Sequence, residues 1–244
     1  MLAPAWAGQS GFDVRFEWGT AGVEAVGDGT VVIVDVLRFT TAVEAGTSRG
    51  ALVYPFRWHD DDSARDFART VGAELAESRT ADGPSLSPIN LLRLMRGDAV
   101  VLPSPNGSTC AALAHEAGST VVAACLRNAE AVAGWAQQQS APIIVIACGE
   151  RWPDGSLRPA LEDFLGAGAV LSRLGGAQSP EARSAAAAWL DAQDRIETVL
   201  LDCSSGRELS DKGWRQDVLY AAKVDISTEV PILDNQAFRA LHVH

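Results

Sequence analysis

The chain has 244 residues, 47% of them hydrophobic, and a formal net charge of −11 at pH 7. That length can bury a substantial core in one large domain or two small ones. The acidity argues against nucleic acid and anionic membranes as partners, and no apolar run approaches the roughly 20 residues that span a bilayer.

Residues 1–10 read as a loose lead-in with neither the basic nor the apolar region of a secretory leader, so the expected location is the cytoplasm. Residues 12–18 alternate apolar and polar, the pattern of a half-buried strand. The run Val31-Val32-Ile33-Val34 is short, apolar and β-branched, which suits a strand buried on both faces. Thr40 or Thr41 can cap the helix expected over residues 41–49. A strand at 51–56 is followed by a helix reaching about residue 71, opened by Asp60, Asp61 and Asp62. These aspartates read as a solvated cap that complements the helix dipole, in preference to a metal site. A short strand (73–77), a loop (78–85) and a helix opened by Pro88 and running to Met95 come next. Strands at 99–102, 120–124 and 142–147 alternate with helices ending near residues 117 and 139. Beyond a Pro- and Gly-containing loop, helices are expected at 161–171, 180–201, 204–209 and 214–222, then a closing strand at 230–233. This alternation predicts an α/β fold in a single domain, with a mixed, largely parallel sheet covered by helices on both faces. Residues 178–225 would form a helical C-terminal elaboration.

Cys110, Cys125, Cys148 and Cys203 are widely spaced, with no Cys-x-x-Cys pair, so they read as small core residues and not as a zinc site. His59, His115, His242 and His244 form no base–nucleophile pattern.

Four polar clusters each follow an expected strand: Asp35/Arg38, Ser104/Asn106/Ser108/Thr109, Arg127/Asn128 and Gly149/Glu150/Arg151. In a parallel sheet all four would lie along one edge, where open α/β sheets bind ligands. A carboxylate at the end of a buried strand is costly unless it is paired or metal-bound, so Asp35 reads as a Mg²⁺ ligand or phosphoryl acceptor, against a structural pair with Arg38. Asn106-Gly107-Ser108-Thr109 at a helix start can offer amides and hydroxyls to an anion, or be a plain cap. Glu162 and Asp163 share the first turn of a helix beside Gly166 and Gly168. Two hard oxygen donors there suit Mg²⁺, and the glycines suit close backbone approach. Among Arg127, Arg151, Arg158 and Arg207, the favoured anion clamps are Arg127 and Arg207.

The segments Asp35-Val36-Leu37-Arg38-Phe39-Thr40-Thr41, Pro105-Asn106-Gly107-Ser108-Thr109, Leu126-Arg127-Asn128, Glu162-Asp163-Phe164-Leu165-Gly166-Ala167-Gly168 and Ser205-Gly206-Arg207-Glu208-Leu209 resemble, in order and spacing, those of the 2-phosphosulfolactate phosphatases. The resemblance covers about residues 12–238. It implies a Mg²⁺-dependent phosphatase that acts on a small anionic substrate, the phosphate ester of sulfolactate, in coenzyme M biosynthesis. Asp35 and Arg38 would then be catalytic, with Asp35, Glu162 and Asp163 on the metal. Thr40, Thr41, Asn106, Gly107, Ser108, Thr109, Arg127, Asn128 and Arg207 would contact phosphate or substrate. The chain departs from the family pattern at Ala76 and Leu86, where relatives carry Gly and Asn, and at Ser104 and Pro105 in place of threonines. Water could attack directly or Asp35 could form an aspartyl-phosphate; Leu37 stands where aspartate-nucleophile phosphatases usually place a second Asp, which disfavours the latter. The alternatives are a binding protein of the same fold for a phosphorylated or sulfonated acid, and a nucleotide- or cofactor-binding transferase. The latter lacks a Gly-x-Gly-x-x-Gly turn after the first strand. The sequence leaves room for a homo-oligomer.

Overall fold

The β-branched run around residue 32 forms a strand buried at every position in a nine-stranded sheet. The structure, a computed structural model, describes residues 5–57, 61–77 and 83–241. In chain order its elements are β1 (Val14–Trp18), α1 (Gly19–Val26), β2 (Thr30–Val34), α2 (Phe39–Ser48), β3 (Leu52–Arg57), α3 (Asp61–Val71), β4 (Glu74–Leu75), α4 (Pro88–Leu91), β5 (Ala99–Ser104), α5 (Gly107–Glu116), β6 (Thr120–Ala124) and α6 (Ala129–Ala136). They continue with β7 (Ile143–Ala147), β8 (Glu150–Arg151), β9 (Leu157–Arg158), α7 (Leu161–Leu171), α8 (Pro180–Ala192), α9 (Ile196–Asp202), α10 (Ser204–Asp211), α11 (Arg215–Ala221), β10 (Pro231–Asp234) and β11 (Ala237–Ala240).

The sheet order is β1-β7-β2-β6-β10-β11-β3-β5-β4. β2 pairs in parallel with β6 and β7, so that Val32 lies opposite both Val122 and Val145. Alternate side chains then serve two cores. Val32 and Val34 pack with residues of α6, α7, α8 and α9, while Val31 and Ile33 pack with α1, α2 and α5. The expected α/β class, with helices on both faces, is what the chain adopts.

The sheet is not parallel throughout. Three successive antiparallel pairings, β6–β10, β10–β11 and β11–β3, separate its halves, so β3, β5 and β4 run counter to β1, β7, β2 and β6. Five strand spacings lie between β2 and β5, roughly 24 Å in a flat sheet. Yet the amide of Gly107, just past β5, donates to Asp35, just past β2, at 3.0 Å. The sheet therefore curls, and α2 and α5 fill its hollow.

Several expected boundaries shift. The helix expected to reach Met95 is one turn, and the helix expected over 180–201 is interrupted by a 3₁₀ turn at Gln193–Arg195. The hairpin β10–β11 turns through Asn235 and Gln236, both at positive φ (47° and 71°). That is the geometry of a two-residue hairpin turn, here without the glycine that usually announces it. The Asp60 cap and the loop 78–82 lie outside the described residues. Asp62, almost fully exposed, faces Arg65 at 3.4 Å, as a solvated helix end should.

The glycines inside α7 answer to close packing. A Cβ on Gly166 would stand 2.5 Å from Val36 Cγ2, and one on Gly168 2.2 Å from the Ala185 carbonyl oxygen of α8. Each glycine costs about 1 kcal/mol of helix propensity, offset by bringing α7 against the end of β2 and against α8.

A buried ion pair joins the two sides of the sheet edge. Arg127 Nε lies 2.8 Å from Glu44 Oε2, with its guanidinium 3.6 Å from the Tyr220 ring centroid and Nη1 donating to the Tyr220 carbonyl. Removing one member of such a pair strands the other charge. Arg127→Ala should therefore lower unfolding free energy by about 3–5 kcal/mol in chemical denaturation, and adding Glu44→Gln should recover part of that loss.

Candidate active site

β2 ends at Val34, and the next residue places a carboxylate where two helices begin. Asp35 Oδ1 accepts the Phe39 amide of α2 at 3.0 Å, and Oδ2 accepts the Gly107 amide of α5 at 3.0 Å. First-turn amides have no intrahelical partner, and they carry the positive end of the helix dipole. The Asp35 carbonyl in turn accepts the Thr40 amide and the Thr40 hydroxyl, which locks the loop. Only glycine fits at position 107, because a Cβ there would lie 2.3 Å from Phe39 Cδ1 and 2.7 Å from Asp35 Oδ2.

Three more acids gather round Asp35. Asp163, in the first turn of α7, accepts the Val36 amide on Oδ1 at 2.8 Å and the Gly149 amide on Oδ2 at 2.9 Å. It thereby ties the ends of β2 and β7 together. Glu162 is buried beside it, with Cys203 Sγ at 3.5 Å from Oε2. Glu150 accepts the Asn106 side-chain amide on Oε2 at 3.0 Å.

Asp35 and Glu150 open on a cleft of about 200 Å³. Asp35, Arg38, Ser104, Asn106 and Glu150 line one side, and Ser205, Glu208, Lys212 and Trp214 face them from α10 and the loop that follows. Arg38 Nη1 lies 3.2 Å from Asp217 Oδ2, and its guanidinium sits 4.5 Å from the Trp214 ring centroid. Asp217 is buried and accepts the Ser87 hydroxyl at 2.7 Å. Arg158 reaches Ser205 Oγ at 3.0 Å.

The structure brings Asp35, Arg38, Asn106, Glu162 and Asp163 together, and it redirects other expected contacts. The hydroxyls of Thr40 and Thr41 donate to the Asp35 and Val36 carbonyls, and those of Ser108 and Thr109 to the Leu102 and Ser104 carbonyls. They brace the loops and do not face the cleft. The Gly107 amide is taken by Asp35. Arg127 is spent on Glu44, and the buried Asn128 side chain on the Cys125 amide and the Ala123 and Glu229 carbonyls. Arg207, two-thirds exposed, pairs with Asp202 at 3.4 Å and does not line the cleft. Lys212 lines the cleft, and Arg158 reaches its wall at Ser205. Lys212 and Asp217 carry no local motif, whereas Glu150 could be found as the acid next to Gly149 at a strand end. Burial pushes the Cys125 and Cys203 thiols up to about 12, in keeping with core residues.

The single-edge picture holds for β2, β6 and β7 only. β5 delivers Asn106 from the reversed half of the sheet, by curling.

A family model described as 2-phosphosulpholactate phosphatase matches residues 20–236. A protein of Methanothermobacter thermautotrophicus named "2-phosphosulfolactate phosphatase" is 28% identical over 211 residues, 84% of this chain and 87% of the relative. Proteins named "Probable 2-phosphosulfolactate phosphatase" are 29% identical in Thermus thermophilus (86% of this chain, 90% of the relative) and 28% identical in Cyanothece sp. (90% and 96%).

The donor set fits the metal that the resemblance implies. Asp35, Glu162 and Asp163 offer hard oxygens, although among the described residues no three His, Cys, Asp or Glu side chains form a ready-made cage. Mg²⁺ is ordinarily held by one or two carboxylates, waters and substrate phosphate, so a complete protein cage is not required. The acids strain one another electrostatically. Burial, then the charge of Glu162, outweighs the Phe39 and Gly107 amides and Arg38 to raise Asp35 to about 6. Burial, with Asp35 and Glu162, raises Glu150 to about 7, and the same causes lift Asp163 well above the usual carboxylate range.

Asp35 and Glu150 ordinarily ionise near 3.8 and 4.5. The folded state therefore holds their protons more tightly than the unfolded chain between about pH 4 and 7. Their contribution to stability is greatest below that window and is lost as pH rises through it. In EDTA the melting midpoint should fall between pH 5 and pH 8, by roughly 5 °C. Mg²⁺ should raise the midpoint more at pH 8 than at pH 5.

Proposed function

The chain belongs to the 2-phosphosulpholactate phosphatase family, and we propose that it is a cytoplasmic, Mg²⁺-dependent enzyme converting (2R)-O-phospho-3-sulfolactate to 3-sulfolactate and phosphate, a step toward coenzyme M. Family membership makes it a phosphoric monoester hydrolase. The observation that carries the finer reading is the meeting of Asp35 and Arg38 at one small cleft, with Lys212 on its wall, Arg158 reaching that wall at Ser205, and Glu162 buried nearby.

In this reading Asp35 and Glu162 hold the cation, and Asp163 fixes the loops that carry it. When bound, Mg²⁺ supplies Lewis-acid polarisation of the phosphoryl oxygens and neutralises their charge. Arg38 is positioned by Asp217 and by the Trp214 face. Its fork takes two phosphoryl oxygens and follows them as charge shifts outward during transfer. Arg158 and Lys212 meet the carboxylate and sulfonate of the substrate. A dianionic phosphate with an acidic tail thus finds cations in a cleft set in an otherwise anionic protein. Water attacks phosphorus directly, because Leu37 occupies the place where a second aspartate would serve an aspartyl-phosphate route.

Phosphate release from 2-phospho-3-sulfolactate, measured with Mg²⁺ and with EDTA, tests the proposal. Release is expected only with the metal. Asp35→Asn should abolish it, and Arg38→Lys, which loses the bidentate fork, should lower kcat by about 10²–10³-fold. Tight binding of the ester without metal-dependent release would identify a binding protein instead.

A further inference from the structure

Breaking the phosphate ester of a secondary alcohol expels an alkoxide, a poor leaving group that needs a proton. Most of the carboxyl groups here are committed elsewhere. Asp35 and Asp163 each accept two backbone amides, Glu162 is buried against Cys203, and Glu208 pairs with Lys212. Glu150 is placed differently. It follows the end of β7, lines the cleft, and is held through Oε2 by the side-chain amide of Asn106.

Glu150 and Asn106 also line a second cavity of about 230 Å³, shared with Trp18, Thr20, Cys110 and Leu157. The Glu150–Asn106 pair is therefore the partition between the reaction cleft and a neighbouring chamber. The carboxyl group thus borders both spaces.

We propose that Glu150 is the general acid of the reaction, positioned by Asn106, and that it protonates the departing alcohol oxygen. This rests on the phosphatase reading above. As water oxygen bonds to phosphorus, the bond from phosphorus to the ester oxygen breaks. The electron pair stays on that oxygen, which takes the carboxylic proton of Glu150. A proton shed by the attacking water restores the acid, so ester and water become alcohol and phosphate with the protein unchanged. Glu150 shares its surroundings with the charges of Asp35, Glu162 and Glu208, opposed by Arg158.

The experiment compares Glu150→Gln with the unaltered protein, in Mg²⁺, on 2-phospho-3-sulfolactate and on p-nitrophenyl phosphate, whose nitrophenolate leaves without a proton. The variant should lose about 10²–10⁴-fold in kcat on the alkyl ester and only a few-fold on the aryl ester, whose turnover also shows that the variant is folded. Across a series of esters, the unaltered protein should show rates that depend only weakly on leaving-group basicity. Equal losses on both esters, no loss on either, or a steep leaving-group dependence in the unaltered protein would overturn the assignment. An unaltered protein inactive on every ester would instead overturn the phosphatase reading, and this role with it.

Discussion

The carboxylate of Asp35 is gripped by the first amides of two helices that begin far apart in the chain, at Phe39 and Gly107. Those two bonds pin the start of α2 to the end of β2 and draw the start of α5 across from the other half of the sheet. Without them, five strand spacings would separate the two loops. The curl of the sheet, the close fit at Gly107 and the position of Asn106 all follow from this one junction. The negative charge stabilises two helix ends at once, which offsets part of the cost of burying it.

The same junction creates an electrostatic problem that the protein alone does not solve. Asp163 and Glu162 come within range of Asp35 because α7 is laid against β2 through its glycines, and Glu150 arrives from β7. Burial and mutual repulsion then favour the protonated forms of Asp35, Asp163 and Glu150. In the proposed function, a divalent cation and a phosphorylated substrate would relieve that repulsion. The cations are arranged to match. Arg38 is not left to wander in solvent but is clasped between Asp217 and Trp214, with Ser87 holding Asp217 from behind. The C-terminal helices therefore do more than cover the core, because α10 and the loop after it complete the wall of the cleft and α11 supplies Asp217 to Arg38.

Much of this was legible in the chain. The β-branched run ending in Asp35, the arginine three positions on and the Thr-Thr pair announced a strand end, an ion site and a helix start. Glu162 and Asp163 were visible as acids in a first helical turn, and Gly166 and Gly168 as points of close approach. The arginines were harder. Arg127 and Arg207 look no different in a sequence from Arg158, yet one is buried against Glu44, one lies in solvent beside Asp202, and Arg158 reaches the cleft wall at Ser205. The threonine and serine hydroxyls fitted a phosphate loop, but a hydroxyl beside a backbone carbonyl bonds that carbonyl first.

The sequence by itself determined the alternation of strands and helices, the class of fold and the local stop-and-start signals, because each depends on neighbours within a few positions. Tertiary structure alone decided which charges share the cleft. The Val36 amide meets Asp163 across 127 positions and Arg38 meets Asp217 across 179. Coulomb and desolvation energies depend on distance in space and on exclusion of water, and neither is written in the spacing of residues along a chain.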